Sequence, residues 1–238
     1  MFYRALPLTV LVLGCAKPVV APPIRTDALM TSTPSLEMPR PSPRMTSADV
    51  ADTLALIDAA KTVLTSLEFR ANGLSLAKAT PELWLSPVGE RVTMDKALAA
   101  FLRVDNRYGP VSAILEWSDR EVTGDRPGVP GEALIQLGRA KLAQWRSSRE
   151  VTRSCAINSL VHEMTHTVTR HRPGYQMLFK DRGRSNHRER ALVSYTLGSL
   201  AQCTYLRSNN IPACVAGWGT NIFNSSCCNE SARCDHLE

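Results

Sequence analysis

Apolar residues recur at helical spacing in four parts of this chain, and two short stretches between the second and third read as strands. The first helical pattern runs over residues 50–70, with Leu54, Ile57, Ala60, Val63, Leu64 and Leu67 on its periodic positions. Ser47-Ala48-Asp49 can cap its start, and Asn72-Gly73 is the expected stop. A second helix is expected from Thr93 to about residue 104, with Leu98, Phe101 and Leu102 inward. Residues 111–117 and 133–137 read as strands on either side of a turn-rich stretch at 123–131. From about residue 152 the helical period returns. Ile157, Val161, Met164 and Val168 form one stripe, and neither proline nor glycine interrupts it before His171-Arg172-Pro173-Gly174. A further helix is expected over 189–203, where Leu192, Val193, Thr196, Leu197 and Leu200 mark an apolar side.

Both ends of the chain lack such periods. Arg4 and the short apolar run 5–13 read as a signal segment too short to span a bilayer. Val12-Leu13-Gly14-Cys15 resembles a bacterial lipobox, which implies cleavage after residue 14 and lipidation of Cys15. Ala16 in place of Asp suits transfer to the outer membrane, so a lipid-anchored envelope protein is expected. Residues 15–46 carry Pro34, Pro39, Pro41 and Pro43 among Ser and Thr and read as an extended or disordered tether. One domain is expected over 47–238. Its last thirty or so residues read as an irregular cap pinned by disulfides, with Trp218 assigned to core or cap rather than to a cleft.

Charge adds little. The chain carries 28 Lys+Arg against 22 Asp+Glu, a net charge of +6, with the arginines scattered. That excludes a nucleic-acid module and leaves a solvated surface. Apart from Cys15 there are six cysteines, at positions 155, 203, 214, 227, 228 and 234. An even set in an exported chain implies disulfides, and no paired C-x-x-C knuckle suggests a structural zinc site.

The chemistry sits in the third helix. His162-Glu163-x-x-His166 places two histidines one turn apart on one face, opposite the apolar stripe, so both can reach one metal ion. Glu163 lies round the helix from them, placed to reach a water rather than the metal. Leu160, Met164, Thr165, Thr167 and Val168 supply the uncharged surroundings of the zincin metallopeptidases, and the stretch resembles their active-site helix. Ser159 departs from the pattern, which has Val or Thr there. The resemblance implies one catalytic Zn²⁺, with Glu163 taking a proton from a water and passing it to a leaving amine. It also implies an α+β fold in which a small mixed or antiparallel sheet faces the HExxH helix and a second ligand-bearing helix. A strand along the cleft would bind a protein or peptide substrate by its edge, and residues 133–137 are the candidate.

An open zinc site needs a third protein ligand. His171, five residues after His166, lies off the ligand face, and Thr169 and Arg172 stand where metzincins have glycine and histidine. Asp181 lies in a polar loop, and His187 stays open. Glu189, at the start of the next helix, is similar to the gluzincin ligand and is the choice. Val193 stands where gluzincins often have an aspartate that orients a histidine, so Ser194 or Tyr195 would take that part. Tyr175, His187 and Tyr195 are the candidate oxyanion donors. If the two ligand helices run antiparallel, Cys155 and Cys203 sit on the facing sides at comparable depth, and a bridge between them would staple the pair. The alternatives to a metallopeptidase are an envelope lipoprotein that keeps the helix as structure and a zinc amidohydrolase acting on cell-wall peptides.

Overall fold

The computed structural model describes residues 35–37, 43–79, 112–118, 124–127, 133–171 and 193–211. In chain order these form β1 (Ser35–Glu37), α1 (Ser47–Thr65), α2 (Leu67–Ala79), β2 (Ser112–Ser118), β3 (Gly124–Pro127), β4 (Ala133–Gly138), α3 (Arg139–Trp145), α4 (Glu150–His171) and α5 (Val193–Ser208). The helix expected at 93–104, the signal segment with Cys15, and the cap beyond residue 211 lie outside the described residues.

α1 starts where its first turn can satisfy its own amides. Thr46 is the N-cap and Asp49 stands three positions on. The Thr46 hydroxyl accepts from the Asp49 amide at 3.2 Å, and the Asp49 carboxylate accepts from the Thr46 amide at 2.8 Å, closing a capping box. Asp49 also takes an Arg146 guanidinium N–H at 2.6 Å, and Asp52 takes a second at 2.6 Å, which ties α1 to the end of α3. The hydrogen bond from Arg146, then those from Thr46, hold the Asp49 carboxyl at about 2.

The single helix expected over 50–70 is two. Ser66 takes an extended ψ of 142°, and its amide and hydroxyl both donate to the Val63 carbonyl. The same hydroxyl oxygen accepts from the Phe69 amide at 3.1 Å, so one serine closes α1 and caps α2. Asn72-Gly73, the expected stop, falls inside α2. The buried stripe of α1 runs through Thr53, Leu56, Ile57, Ala60, Val63 and Leu64, whereas Leu54 and Leu67 face outward.

The sheet has the order β1-β2-β4-β3. β1, β2 and β4 are parallel, and β3 runs antiparallel to β4. After β2 the chain lays down β3 two positions away and returns as β4 in the gap. β4 therefore has a neighbour on each side, and the expectation that it offers a free edge along a cleft is wrong. Among the described residues the terminal strands of the sheet are β1 and β3. β3 occupies part of the stretch read as turns, and β1 lies within the stretch read as tether.

One face of the sheet carries the core. Leu36 stands beside Ala113, Leu115 beside Ile135, and Trp117 beside Leu137 in the strand register. All but the half-buried Trp117 are fully buried. α1 and α4 pack against them in one cluster that extends through Leu160, Val161 and Met164 to Leu197 and Leu200 of α5. The descent of hydrophobic area from water is the main stabilising term here. No helix among the described residues is long and apolar enough to cross a membrane.

Two outcomes are expected. Leu36→Ala should lower stability by about 2–3 kcal/mol, measured by urea unfolding, because a buried leucine is lost from a three-residue strand that can partly collapse. The second concerns acid. The folded-state pKa of Asp49 lies below its ordinary value of 3.8, so its contribution is present above about pH 4 and lost as pH falls toward 2. Thermal melts between about pH 2 and pH 6 should show a shallower acid loss in Asp49→Asn than in the parent.

Candidate metal centre

α4 is buried on two sides. Ile157, Leu160, Val161 and Met164 belong to the core cluster shared with the sheet and α1, and the side that bears Asn158 and His162 faces Gly198 of α5. Two threonines flank His166, both fully buried, and each donates its hydroxyl three residues back: Thr165 to the His162 carbonyl and Thr167 to the Met164 carbonyl, both at 2.6 Å. These polar side chains therefore cost the buried helix no unpaired hydroxyl.

His162 is 7 % exposed, and the side chains of Glu163 and His166 are 14 % and 15 % exposed. The two histidine rings stand edge to face at 86° with centroids 4.9 Å apart. Their Nε2 atoms are 3.2 Å apart. Two N–H groups cannot face each other at that distance, so at least one Nε2 presents a lone pair. Two nitrogens bound to one tetrahedral zinc at 2.0–2.1 Å would stand about 3.3 Å apart, so the pair fits a shared ion. Glu163 is set back from that arrangement. Its oxygens lie 4.0 Å from His162 Nε2 and 3.8 Å from His166 Nε2, beyond the roughly 3.3 Å expected of a third ligand in the same shell. The three donor groups lie within 4.8 Å of one another and form the one such group of His, Cys, Asp or Glu found among the described residues.

α5 runs antiparallel to α4 and is joined to it by polar contacts. The Tyr205 hydroxyl donates to Glu150 at 2.7 Å, Gln202 bonds Ser154 and Asn158, and Gly198 reaches His162. Burial, then the bond to Glu150, pushes the Tyr205 phenol up to about 12, so it stays a donor at neutral pH. Gly198 is the point of closest approach. A Cβ there would lie 2.6 Å from Asn158 Oδ1, 2.9 Å from the Asn158 carbonyl oxygen and 3.2 Å from His162 Cβ. Glycine inside a helix costs about 1 kcal/mol relative to alanine, and here it lets α5 seat directly on the turn that carries His162.

Cys155 on α4 and Cys203 on α5 are each disulfide-bonded. Asp181, His187, Glu189 and Tyr175 lie outside the described residues. His171 is the last residue of α4, and Ser194 and Tyr195 lie in the first turn of the described part of α5, which holds no acidic residue. Val193 is fully buried in the core. Sequence reasoning missed Gly198, Asn158 and Gln202. A lone glycine inside a helical pattern was a usable sign for the first. The other two act through partners 44 residues apart, for which the sequence offers no sign.

Gly198→Ala should be destabilising, by about 1–3 kcal/mol, because the clash is with a helix carbonyl as well as a side chain and the better helix propensity of alanine cannot offset it. Thermal unfolding of the two proteins checks this. No family model, curated protein or solved structure matches the chain.

Proposed function

We propose that this chain is a zinc-dependent metallopeptidase that hydrolyses peptide bonds in the bacterial envelope. One observation carries the reading: His162 and His166 bring their Nε2 atoms to 3.2 Å while the Glu163 carboxylate stands back at 3.8–4.0 Å. Such a donor set suits an ion with room left for a water and a substrate oxygen. A zinc ion in such a site lowers the pKa of a water toward neutrality and polarises a carbonyl. His162 and His166 would hold the ion through their Nε2 atoms. Glu163 takes the proton from the water and returns it to the leaving amine. The Glu163 side chain is 14 % exposed, so the carboxylate is held within the site rather than in bulk solvent.

The third ligand in this reading is Glu189, with Asp181, His187 and His171 as the other candidates. β3, the terminal strand that touches α4, is where an extended peptide would add to the sheet. The oxidised state of Cys155 and Cys203 suits an exported protein, and the lipobox-like segment ending at Cys15 supplies the anchor.

Metal analysis by mass spectrometry, on a chain that keeps Ser35–Glu37, tests this. One zinc per chain is expected in the parent and none in His166→Ala. Glu163→Gln should keep zinc and lose about 10²–10⁴-fold in peptidase rate. Zinc retained in Glu189→Ala moves the third ligand to another candidate. A folded, oxidised parent without zinc, or Glu163→Gln with unchanged activity, sinks the proposal and leaves a lipoprotein in which this helix is structural.

A further inference from the structure

The polar contacts between α4 and α5 form a directed chain that ends at Asn158, one turn before His162. Ser154 donates its hydroxyl to the Val151 carbonyl at 2.6 Å, which leaves its oxygen to accept from Gln202 Nε2 at 3.0 Å. That contact turns the Gln202 amide so that Oε1 faces Asn158 and accepts from Nδ2 at 2.8 Å. Asn158 must then turn Oδ1 the other way, into the space where Gly198 has no side chain. The next turn of α4 carries His162, whose Cβ borders the same space. Each donor and acceptor in the chain fixes the orientation of the next. Gln202 is fully buried, so losing either partner is costly.

We infer that Gln202 is a positioning residue for the metal centre. Through Asn158 it sets the height and tilt of α5 against the turn of α4 that bears His162, and so aims that imidazole at the ion. This rests on the metal-centre reading above. An apolar contact would fill the same space but would let the helices slide, because dispersion has no direction. A hydrogen-bonded amide admits one register.

The test uses the full oxidised protein and Gln202→Met, which keeps the volume and removes the amide's hydrogen bonds to Ser154 and Asn158 together with its longer contact to Cys155 Sγ at 3.9 Å. Zinc affinity is measured by competition with a chromophoric chelator, and the Co²⁺-loaded protein is examined by visible absorption. Gln202→Met should bind zinc about tenfold more weakly and shift the Co²⁺ bands. Tyr205→Phe is the control. It cuts the Glu150 contact on the same interface, about 18 Å along α4 from His162, and should stay within about twofold of the parent affinity. Ser154→Ala, the milder variant, removes one link and should weaken zinc roughly threefold; it decides the matter where Gln202→Met does not fold. Parent-like affinity in Gln202→Met, or in Ser154→Ala where it stands in, overturns the inference while leaving the metal centre intact. So does equal weakening in Tyr205→Phe, which would make the whole seam a matter of stability. A parent that binds no zinc overturns the metal-centre reading and this inference together.

Discussion

Gly198 has no side chain, and the packing of α4 against α5 depends on that. A helix normally keeps its neighbour 8–10 Å away, axis to axis, because side chains stand between them. Here a side chain at Gly198 would run into Asn158 and the Cβ of His162, so α5 comes closer to that turn of α4 than a residue with a Cβ would allow. From that contact the rest follows along the interface. Gln202 comes within reach of Asn158 and Ser154, Tyr205 within reach of Glu150, and Trp145 packs its ring 6.2 Å from that of Tyr205. Arg207 extends the tie from α5 to Glu68 on α2 at 2.6 Å.

α4 therefore has two tasks on two faces. One face is aliphatic and belongs to the core with the sheet. The other is polar and is ordered by α5. A helix buried on both sides loses the freedom to tilt, so the histidines inherit their positions from packing that lies mostly elsewhere. This is the physical basis for a preorganised pair: the spacing of four residues puts both imidazoles on one face, and burial then removes the alternative rotamers.

The parts of this arrangement that were legible in the sequence are those set by spacing within one element. The apolar stripe of α4, its stop at His171, and the convergence of His162 with His166 all follow from the helical period. The break at Ser66 did not show, because the apolar period passes across it and one extended ψ divides the helix. β1 did not show either: a single leucine between a serine and a glutamate, amid prolines, gives no alternation to read. In β3, Gly124-Asp125-Arg126-Pro127 has the composition of a turn and is held as a strand only by its pairing with β4. The order of strands is a tertiary fact, so the internal place of β4 could not be read from its own residues. The seam between α4 and α5 is of the same kind. Its hydrogen bonds join residues 44 to 55 apart, and neither partner looks unusual alone.

The glycine contact also bears on what completes the coordination. Gly198 of α5 lies against His162 and has no donor atom to give. One turn earlier on the same face stands Ser194, fully buried and short. The described part of α5 thus contributes spacing where a carboxylate would otherwise reach across. Asp181, His187 and Glu189 all belong to residues 172–192, the connection between α4 and α5. Zinc needs a third donor, since two imidazoles alone make a weak site. In the proposed centre that donor is sought first in this connection, at Glu189, with His171 at the end of α4 as the candidate outside it. The division of labour in that proposal is physical: packed helices fix the two histidines, and the ligand that closes the shell is left to a residue outside their packed faces.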